Sequence, residues 1–392
     1  MQRGKKAAAM LFAFVVGIIA SAVGSALVTV NQLPDELTVY EGSSSRLSTF
    51  LPVSVEYTSK DSDMAEAKLF GVVGVKKVGI RRESPRTVLL AGTLFGLKMH
   101  SDGVMVVGIS SFNSDGVSVN PAKKAGISVG DVIHSVNGQK VFTNSDYADI
   151  VKKSHGRLSL ELTDRSGNRK KVSLQPKYSD ADQSVKSGMW VRDSAAGIGT
   201  LTYIDPSSGT FGGLGHGICD ADTHNIVPLH EGEIVEARIA NIRRGVRGSA
   251  GEIRGYLGTG ELGELESNTI CGTFGRYTAE LPDFPEYEVA VKQEIRPGKA
   301  KVLCTVNAEG KPELYDIVID KINYSGEPAK NMMITVTDER LLDVTGGIIQ
   351  GMSGSPIIQG GKFVGAVTHV FVNNPTCGYA IFAENMMVSS DG

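Results

Sequence analysis

Residues 346–358 read GGIIQGMSGSPII, which places a serine at position 353 between glycines, with strand-type residues on both sides. Gly351 and Gly354 permit a tight backbone turn in which neighbouring amides converge on one point. A serine hydroxyl on such a turn is exposed for attack and lies near donors for the resulting negative charge. The pattern alone fits either a plain hairpin or a nucleophile, so the interpretation of Ser353 depends on a base elsewhere in the chain.

The composition indicates which kinds of protein this chain can be. The 392 residues carry a formal net charge of −3, with 41% hydrophobic residues, 47 glycines and one tryptophan. This balance lacks the basic footprint of a nucleic-acid-binding protein and fits a chain of about two domains rich in turns and short strands. The four cysteines are widely spaced and form no CxxC pair, which argues against a structural zinc site. We expect no metal and no organic cofactor, while disulfide pairing stays open.

The N-terminus begins with Arg3, Lys5 and Lys6, and residues 7–30 then contain no charged side chain. As a helix this run spans about 36 Å, enough to cross a bilayer core. Positive charge before the run places the bulk of the chain across the membrane. Residues 1–30 are therefore either a retained anchor or a signal cleaved near residues 24–26. Residues 31–85 are predicted to be a membrane-proximal linker, with one or two strands between 34 and 60, a flexible point at 42–45 and a further strand at 72–78.

Residues 86–180 contain NPAKKAGISVGDVI at 120–133 and VNGQ at 136–139, and residues 144–154 have the pattern of a helix. This order resembles PDZ domains in the circularly permuted form common in bacterial proteases. PDZ domains bind a peptide as an added strand and hold its carboxylate in a backbone nest. The resemblance implies that Phe95, Gly96 and Leu97 form the carboxylate loop, with the groove between their strand and the helix. A PDZ fold without a free groove is the alternative, and the identity of the peptide stays open.

Residues 181–392 show short strands separated by glycine, which is typical of an all-β barrel domain. Among the seven histidines, His216 stands out in the run GGLGHGICD (212–220), where flanking glycines leave its ring uncrowded. His369 lies one strand after Ser353, and we expect that strand to line the substrate cleft.

His216 upstream of a GMSGSP motif and a following KFVGAV strand resemble the chymotrypsin-like serine proteases. The resemblance implies a double β-barrel with the cleft between the barrels, His216 as general base and Ser353 as nucleophile. The backbone amides of Gly351 and Ser353 would form the oxyanion hole. Met352 replaces the aspartate that precedes the nucleophile in trypsin-type enzymes, so the zymogen switch built on that aspartate cannot operate.

The whole arrangement resembles SpoIVB-type peptidases of endospore-forming bacteria, through the apolar N-terminus, the PDZ region, LGHGI at 214–218 and GGIIQGMSGSPII. That family is secreted into the space between the two forespore membranes. It cleaves a regulator of an intramembrane metalloprotease that activates a late sigma factor. It also processes its own N-terminal region, which implies self-cleavage within residues 31–85. The expected fold is mainly β, with an N-terminal transmembrane helix, an α+β PDZ domain and a double-barrel peptidase domain.

A carboxylate is expected to orient His216 and stabilise its imidazolium. The family pattern points to Asp338. A purely structural role for Asp338, as the cap of a short helix over 339–342, stays open. The other candidate carboxylates are Asp220, Asp222, Asp316, Asp320 and Asp343.

Two other functions use the same features. In one, the chain is a noncatalytic signalling adaptor whose PDZ groove binds a membrane-protein tail and whose barrels are a decayed protease. In the other, it is a cell-envelope quality-control protease with broad substrates.

Overall fold

A computed structural model describes residues 2–40, 46–47, 49, 51–57, 63–307 and 309–391. Helix α1 spans Gln2–Asn31, and its portion Phe14–Asn31 is long and apolar enough to cross a membrane, with a mean hydropathy of 2.0. Phe14, Ile18 and Leu27 on this helix are exposed. An anchor and a cleaved signal both fit this helix. The flexible point predicted at residues 42–45 lies outside the described residues.

Described strands within residues 36–82 form a five-stranded sheet, so the prediction of a linker with one or two strands in residues 34–60 is corrected. The strand predicted at 72–78 is present in this sheet. Its strands are β1 (Glu36–Val39), β2 (Arg46–Leu47), β3 (Val53–Tyr57), β4 (Met64–Leu69) and β5 (Val73–Arg82). Alternate residues of β4 are buried, as expected for a sheet with one covered face. Leu37 and Val53 share a hydrophobic core with the C-terminal barrel. The buried Glu384 accepts a hydrogen bond from Thr38 Oγ1 at 2.8 Å, so this sheet is docked on the body of the protein.

The first barrel closes because β7 pairs with both β18 and β16. The strands of this part are β6 (Thr87–Leu90), β7 (Leu94–Ile109), β16 (Met189–Asp205), β17 (Thr210–Gly213), β18 (Leu229–Arg243), β19 (Glu252–Thr269), β20 (Gly272–Tyr277) and β21 (Glu286–Glu288). Its interior contains Leu89, Phe95, Leu201, Phe211 and Ile234. Residues 87–101 therefore belong to this barrel, and the predicted start of the barrel domain at 181 is corrected.

The predicted carboxylate loop at Phe95, Gly96 and Leu97 is also corrected. These residues lie near the start of β7 and pair with β16 on one side and β18 on the other, so their backbone amides are not free for a ligand. Phe95 is fully buried. A Cβ on Gly96 would come within 2.4 Å of Leu257 Cδ2, so this glycine serves close packing inside the barrel.

The predicted PDZ region is inserted between β7 and β16. It contains β8 (Phe112–Ser114), β9 (Val117–Val119), α2 (Pro121–Lys124), β10 (Val132–Val136), β11 (Gln139–Lys140), α3 (Asn144–Lys152), β12 (Leu158–Thr163), β13 (Arg169–Leu174), β14 (Lys177–Ser179) and β15 (Ser184–Lys186). Helix α3 begins with a capping box in which Thr143 and Asp146 each bond the other's backbone amide. Tyr147 and Val151 of α3 are buried in the module's own core.

The second barrel is closed in the order β22-β23-β24-β27-β26-β25. The elements of this part are the 3₁₀ turn Lys292–Glu294, β22 (Gly298–Cys304), β23 (Glu313–Ile322), β24 (Met332–Val336), α4 (Glu339–Thr345), β25 (Pro356–Gln359), β26 (Lys362–Phe371), β27 (Asn374–Phe382) and α5 (Ala383–Ser390). The prediction of a mainly β chain built on two barrels is confirmed. All four cysteines are unpaired.

Candidate active site

A cleft of about 540 Å³ lies between the two barrels, and both His216 and Ser353 line it. His216 follows β17 of the first barrel, and Ser353 precedes β25 of the second. The two residues are far apart in sequence, so only the docking of the barrels brings them to one cavity. The wall of the second barrel includes Thr368, His369 and Val370 from β26.

The turn around Ser353 requires its glycines. Gly351 and Gly354 have φ angles of 98° and 94°, in the left-handed region that favours glycine. A Cβ on Gly354 would lie 2.2 Å from the carbonyl oxygen of Thr200, so no other residue fits there. Thr200 Oγ1 donates to Gly351 O at 2.8 Å, and the Thr200 amide donates to Ser353 O at 3.0 Å. The first barrel therefore fixes the shape of the serine turn.

The predicted oxyanion hole has its donors available. In the described part of the chain, the backbone amides of Gly351 and Ser353 donate to no backbone carbonyl. Ser355, the other serine of the motif, is fully buried and lies 3.5 Å from Thr200 Oγ1. Ser353 is thus the serine of this motif that reaches the cleft.

Met352 is 1% exposed and belongs to the hydrophobic core of the second barrel. Its backbone amide donates to Ile349 O at 3.1 Å. The serine turn is therefore anchored by apolar packing at this position, where trypsin-type enzymes rely on a carboxylate.

Ser353 Oγ donates a hydrogen bond to the carbonyl oxygen of Leu214 in this structure. Leu214 and the following Gly215 have φ angles of 67° and 69°, so the segment that leads to His216 turns sharply. A left-handed conformation is uncommon for leucine and is typical of strained functional segments. The serine hydroxyl must turn from Leu214 O toward His216 before His216 can take its proton.

His216 Nδ1 donates to the carbonyl oxygen of Gly217 at 2.8 Å. This bond fixes the proton on Nδ1 and leaves Nε2 unprotonated, as a general base requires. Burial of the ring lowers the pKa of His216, and the Gly217 carbonyl partly offsets that effect by favouring the charged form. The imidazole is therefore neutral at physiological pH.

Asp338 is placed at the N-terminus of α4 and not beside His216. Its carboxylate accepts hydrogen bonds from the amides of Arg340 at 3.0 Å and Asp316 at 3.1 Å, and from the Arg340 guanidinium. The hydrogen bonds from the Arg340 guanidinium are the largest of the effects that lower the pKa of Asp338 to about 2. The structure does not bring Asp338 together with His216 and Ser353.

Three of the other candidate carboxylates, Asp220, Asp316 and Asp320, also have structural partners. The buried Asp220 accepts from the Asp222 amide at 3.0 Å and pairs with Arg192. Asp316 pairs with Lys301, and Asp320 accepts from Thr335 Oγ1. No Asp or Glu is among the described residues that line the cleft around His216.

Two kinds of contributor to the site, backbone carbonyl groups and a pair of threonines, were not predicted from the sequence. The carbonyl groups of Leu214 and Gly217, which bind the serine hydroxyl and the histidine, are backbone atoms without a residue-type signal. The threonines are Thr200 and Thr202, and the only sequence pattern that could have indicated them is their alternation on β16. Thr202 Oγ1 donates to Gly354 O at 2.7 Å, so both threonines brace the same turn.

A separate groove of about 330 Å³ lies in the inserted module, between α3 and the adjoining parts of β15 and β16. Tyr147 and Val151 of α3 form one wall, and Val185, Met189 and Trp190 form the other. This is where the module offers space beside its helix, in place of the groove predicted next to residues 95–97.

Two β-barrels with a serine and a histidine in the cleft between them define a serine peptidase. A family model described as SpoIVB peptidase S55 matches residues 183–387, just over half of the chain, so the chain belongs to that family. A model described as PDZ domain matches residues 118–163 within the inserted module, which confirms the predicted PDZ domain.

Two solved structures show a distant likeness to the chain. A crystal structure of the Rv3671c protease in an inactive form is 14% identical, with a TM-score of 0.30, and the match covers 50% of this chain and 85% of that one. A serine-to-alanine variant of Rv3671c from M. tuberculosis H37Rv, also inactive, is 13% identical with a TM-score of 0.28, covering 50% and 82%. Nothing matches among curated proteins.

Proposed function

We propose that Ser353 is the nucleophile and His216 the general base of this serine peptidase, with the amides of Gly351 and Ser353 as the oxyanion hole. The observation that carries the proposal is the meeting of His216 and Ser353 in one cleft, with Ser353 on a turn where the amides of Gly351 and Ser353 donate to no backbone carbonyl of the described residues. His216 Nε2 takes the hydroxyl proton as Ser353 Oγ attacks the peptide carbonyl. The negative charge that develops on the carbonyl oxygen is stabilised by the two amides.

The intermediate collapses when His216 delivers its proton to the leaving amine, which releases the first product and leaves an acyl group on Ser353. Water then attacks the ester, with His216 again acting as base. The Gly217 carbonyl holds the His216 tautomer through both halves of the reaction. Because Asp338 does not contact His216, we assign Asp338 to the support of α4 in this proposal.

The substrate is proposed to be a protein on the extracytoplasmic side of a membrane. Helix α1 supports a membrane-anchored or secreted enzyme. Membership of the SpoIVB family supports self-cleavage within residues 31–85 and cleavage of a membrane-associated regulator of an intramembrane metalloprotease. On this proposal the enzyme acts between the forespore membranes and triggers late sigma-factor activation.

The PDZ domain is proposed to bind a peptide tail or the enzyme's own N-terminal region in the groove beside α3. The apolar side chains of Tyr147, Val151 and Met189 suit the side chains of an extended peptide. Lys152 at the groove provides positive charge for a terminal carboxylate, whereas Lys186 is paired with Asp182 at 3.4 Å.

A fluorophosphonate probe tests the assignment of the nucleophile. We expect the probe to label the wild-type enzyme and Ser355→Ala, and Ser353→Ala to lose both labelling and self-cleavage while its melting temperature is kept. The buried Ser355 is a matched control because it lies two residues away and outside the cleft. Labelling that survives in Ser353→Ala would overturn the proposal.

The identity of the substrate has its own test, which is mass spectrometry of the products. Cleavage at one or a few sites within 31–85 and in a single membrane regulator supports the proposed role. Degradation of many unfolded proteins contradicts it and favours quality control.

A further inference from the structure

The hairpin that joins β4 to β5 exposes a group of apolar side chains. Phe70, Val72 and Val73 are 61%, 79% and 56% exposed, and we call these three residues the apolar tip. The seven residues between Lys68 and Lys76 contain no charged side chain. Single exposed apolar residues are common on protein surfaces, but a group of them at the end of one hairpin is typical of an interaction site.

The turn at the apolar tip contains an unfavourable residue. Phe70 and Gly71 have φ angles of 53° and 73°, and the Val72 amide donates to Leu69 O at 3.1 Å. Hairpin turns with two left-handed residues strongly favour Asn-Gly or Asp-Gly, because a bulky side chain is strained in that conformation. The Phe70 side chain is mostly exposed, so packing does not offset this strain. A strained residue that packs against little of the fold is typical of a functional segment.

Hydrogen bonds place the apolar tip beside the end of α1. The Phe70 amide donates to Pro52 O at 2.9 Å. The adjacent Leu51 amide donates to Thr29 Oγ1, in the last turn of α1, at 3.2 Å. Thr29 is fully buried, whereas the described residues between 14 and 24 of α1 are exposed. The apolar tip therefore lies next to the point where α1 leaves the body of the protein.

The direction of β5 agrees with this placement. Lys76 Nζ donates to Leu33 O at 2.8 Å and pairs with Asp35 at 2.8 Å, and both partners lie in the segment that joins α1 to β1. Farther along, β5 and β1 are parallel, with Gly79 opposite Glu36. Because the strands are parallel, the start of β5 and the chain that precedes β1 lie at the same end of this sheet. The apolar tip is at the start of β5, on the side from which α1 enters.

We propose that the apolar tip inserts into the surface of the bilayer that α1 crosses, as a second contact of the enzyme with the membrane. This inference rests on the proposed location of the enzyme at a membrane. Exposed apolar side chains bind the boundary between headgroups and acyl chains, and the strength of binding increases with the apolar area buried. Lys68 and Lys76, which bound the tip, already have acidic partners. Burial of apolar surface therefore drives the contact, and anionic lipid is not required.

The contact with lipid does not depend on an intact N-terminus. A signal cleavage near residues 24–26 removes most of the membrane-spanning part of α1 and leaves the apolar tip on the enzyme, because the tip follows α1 in the sequence. The processed enzyme then stays at the surface of the membrane that carries its proposed substrate.

Tryptophan quenching tests the contact with the full-length chain. Phe70→Trp is made in a Trp190→Phe background, so it is the only tryptophan, and the protein is reconstituted in phosphatidylcholine vesicles with or without brominated acyl chains. We expect its emission to shift to shorter wavelength and to be lost in brominated lipid. Val117→Trp in the same background is the matched control, because Val117 lies at the β8–β9 hairpin of the inserted module and is 62% exposed. The control should keep its emission.

The outcomes separate the apolar tip from the membrane location. If chains that float with the vesicles show an unquenched Phe70→Trp, or equal quenching at both positions, the inference is overturned and the membrane location stands. Chains that do not float refute the proposed membrane location, and the inference with it.

Phe70→Asn provides a second test, of the statement that Phe70 is not kept for stability. Asparagine suits a left-handed turn position better than phenylalanine. The melting temperature of the full-length variant in detergent should therefore equal or exceed that of the wild type. A clear fall would assign Phe70 to the support of the fold and overturn the inference.

Discussion

Asp338→Asn distinguishes a catalytic carboxylate from a structural one. The Asp338 side chain caps α4 through the Arg340 amide at 3.0 Å, binds the Asp316 amide at 3.1 Å and pairs with Arg340. Asparagine is about as good an N-cap as aspartate, so the bond to the Arg340 amide survives. Oδ2 is replaced by an amide group that cannot accept from the Asp316 amide, and the ion pair with Arg340 is lost.

The expected cost follows from these contacts. The Arg340 side chain is 62% exposed, so solvent screens the ion pair and its loss costs about 0–1 kcal/mol. The lost bond to Asp316 adds about 1 kcal/mol. A total of about 1–2 kcal/mol lowers the melting temperature by about 2–8 °C for a body of this size. Because no contact with His216 is removed, kcat should stay within about twofold of wild type, whereas loss of a triad carboxylate lowers kcat about 10⁴-fold.

The assay combines a melting curve with steady-state cleavage of a peptide at a temperature well below both transitions. Asp220→Asn is the matched control, since Asp220 also combines backbone hydrogen bonds with an arginine partner. We expect the two variants to lose stability by similar amounts and to keep their kcat. If Asp338→Asn alone lost turnover by a factor of about 10³ or more with its fold intact, the structural role would be refuted and Asp338 restored to the triad.

Two further predictions concern the base and the serine turn. Burial lowers the pKa of His216, so the neutral base persists below the ordinary histidine pKa of 6.5. The midpoint of the acid limb of kcat/KM should therefore lie below pH 6.5. A pH–rate profile with a midpoint above 6.5 would contradict this prediction. Met352→Asp would place an unpaired carboxylate in the core of the second barrel and should destabilise the protein by several kcal/mol. Met352→Leu should cost less than about 1.5 kcal/mol, and similar melting temperatures of the two variants would be evidence against this account of the turn.

The docked N-terminal sheet bears on the consequences of the proposed self-cleavage. Thr38 of β1 donates to Glu384, and Gln293 Nε2 donates to the Thr38 carbonyl at 2.6 Å, both in buried surroundings. Leu37 packs in the same core as the second barrel. A cut within residues 31–85 therefore need not release the new N-terminal fragment, because these contacts do not depend on chain continuity.

Local signals in the sequence were sufficient for several features. The glycines around Ser353 predicted a turn, and the left-handed φ angles of Gly351 and Gly354 agree with it, because that conformation is a property of single residues. The apolar run at the N-terminus predicted α1, and the NPAKKAGI and VNG motifs predicted the PDZ domain. The abundance of short strands between glycines predicted the mainly β fold.

Other features of the fold depend on pairing between strands that are far apart in sequence. The run around Gly96 has the pattern of a loop, yet its glycine is needed where the side chains of Val235 on β18 and Leu257 on β19 approach the backbone. No local pattern shows that residues 94–109 are one strand shared by the first barrel and the PDZ domain, since strand partners are far apart in sequence.

The candidate site follows the same division. The serine turn and the choice of His216 could be predicted from local sequence, since both depend on glycines beside one polar residue. The surroundings of these two residues could not, because the docking of two barrels sets those distances. In the folded protein Asp338 lies at the start of α4, and the Gly217 carbonyl accepts a hydrogen bond from His216. His369 of the second barrel contacts the ring of His216, which follows a strand of the first.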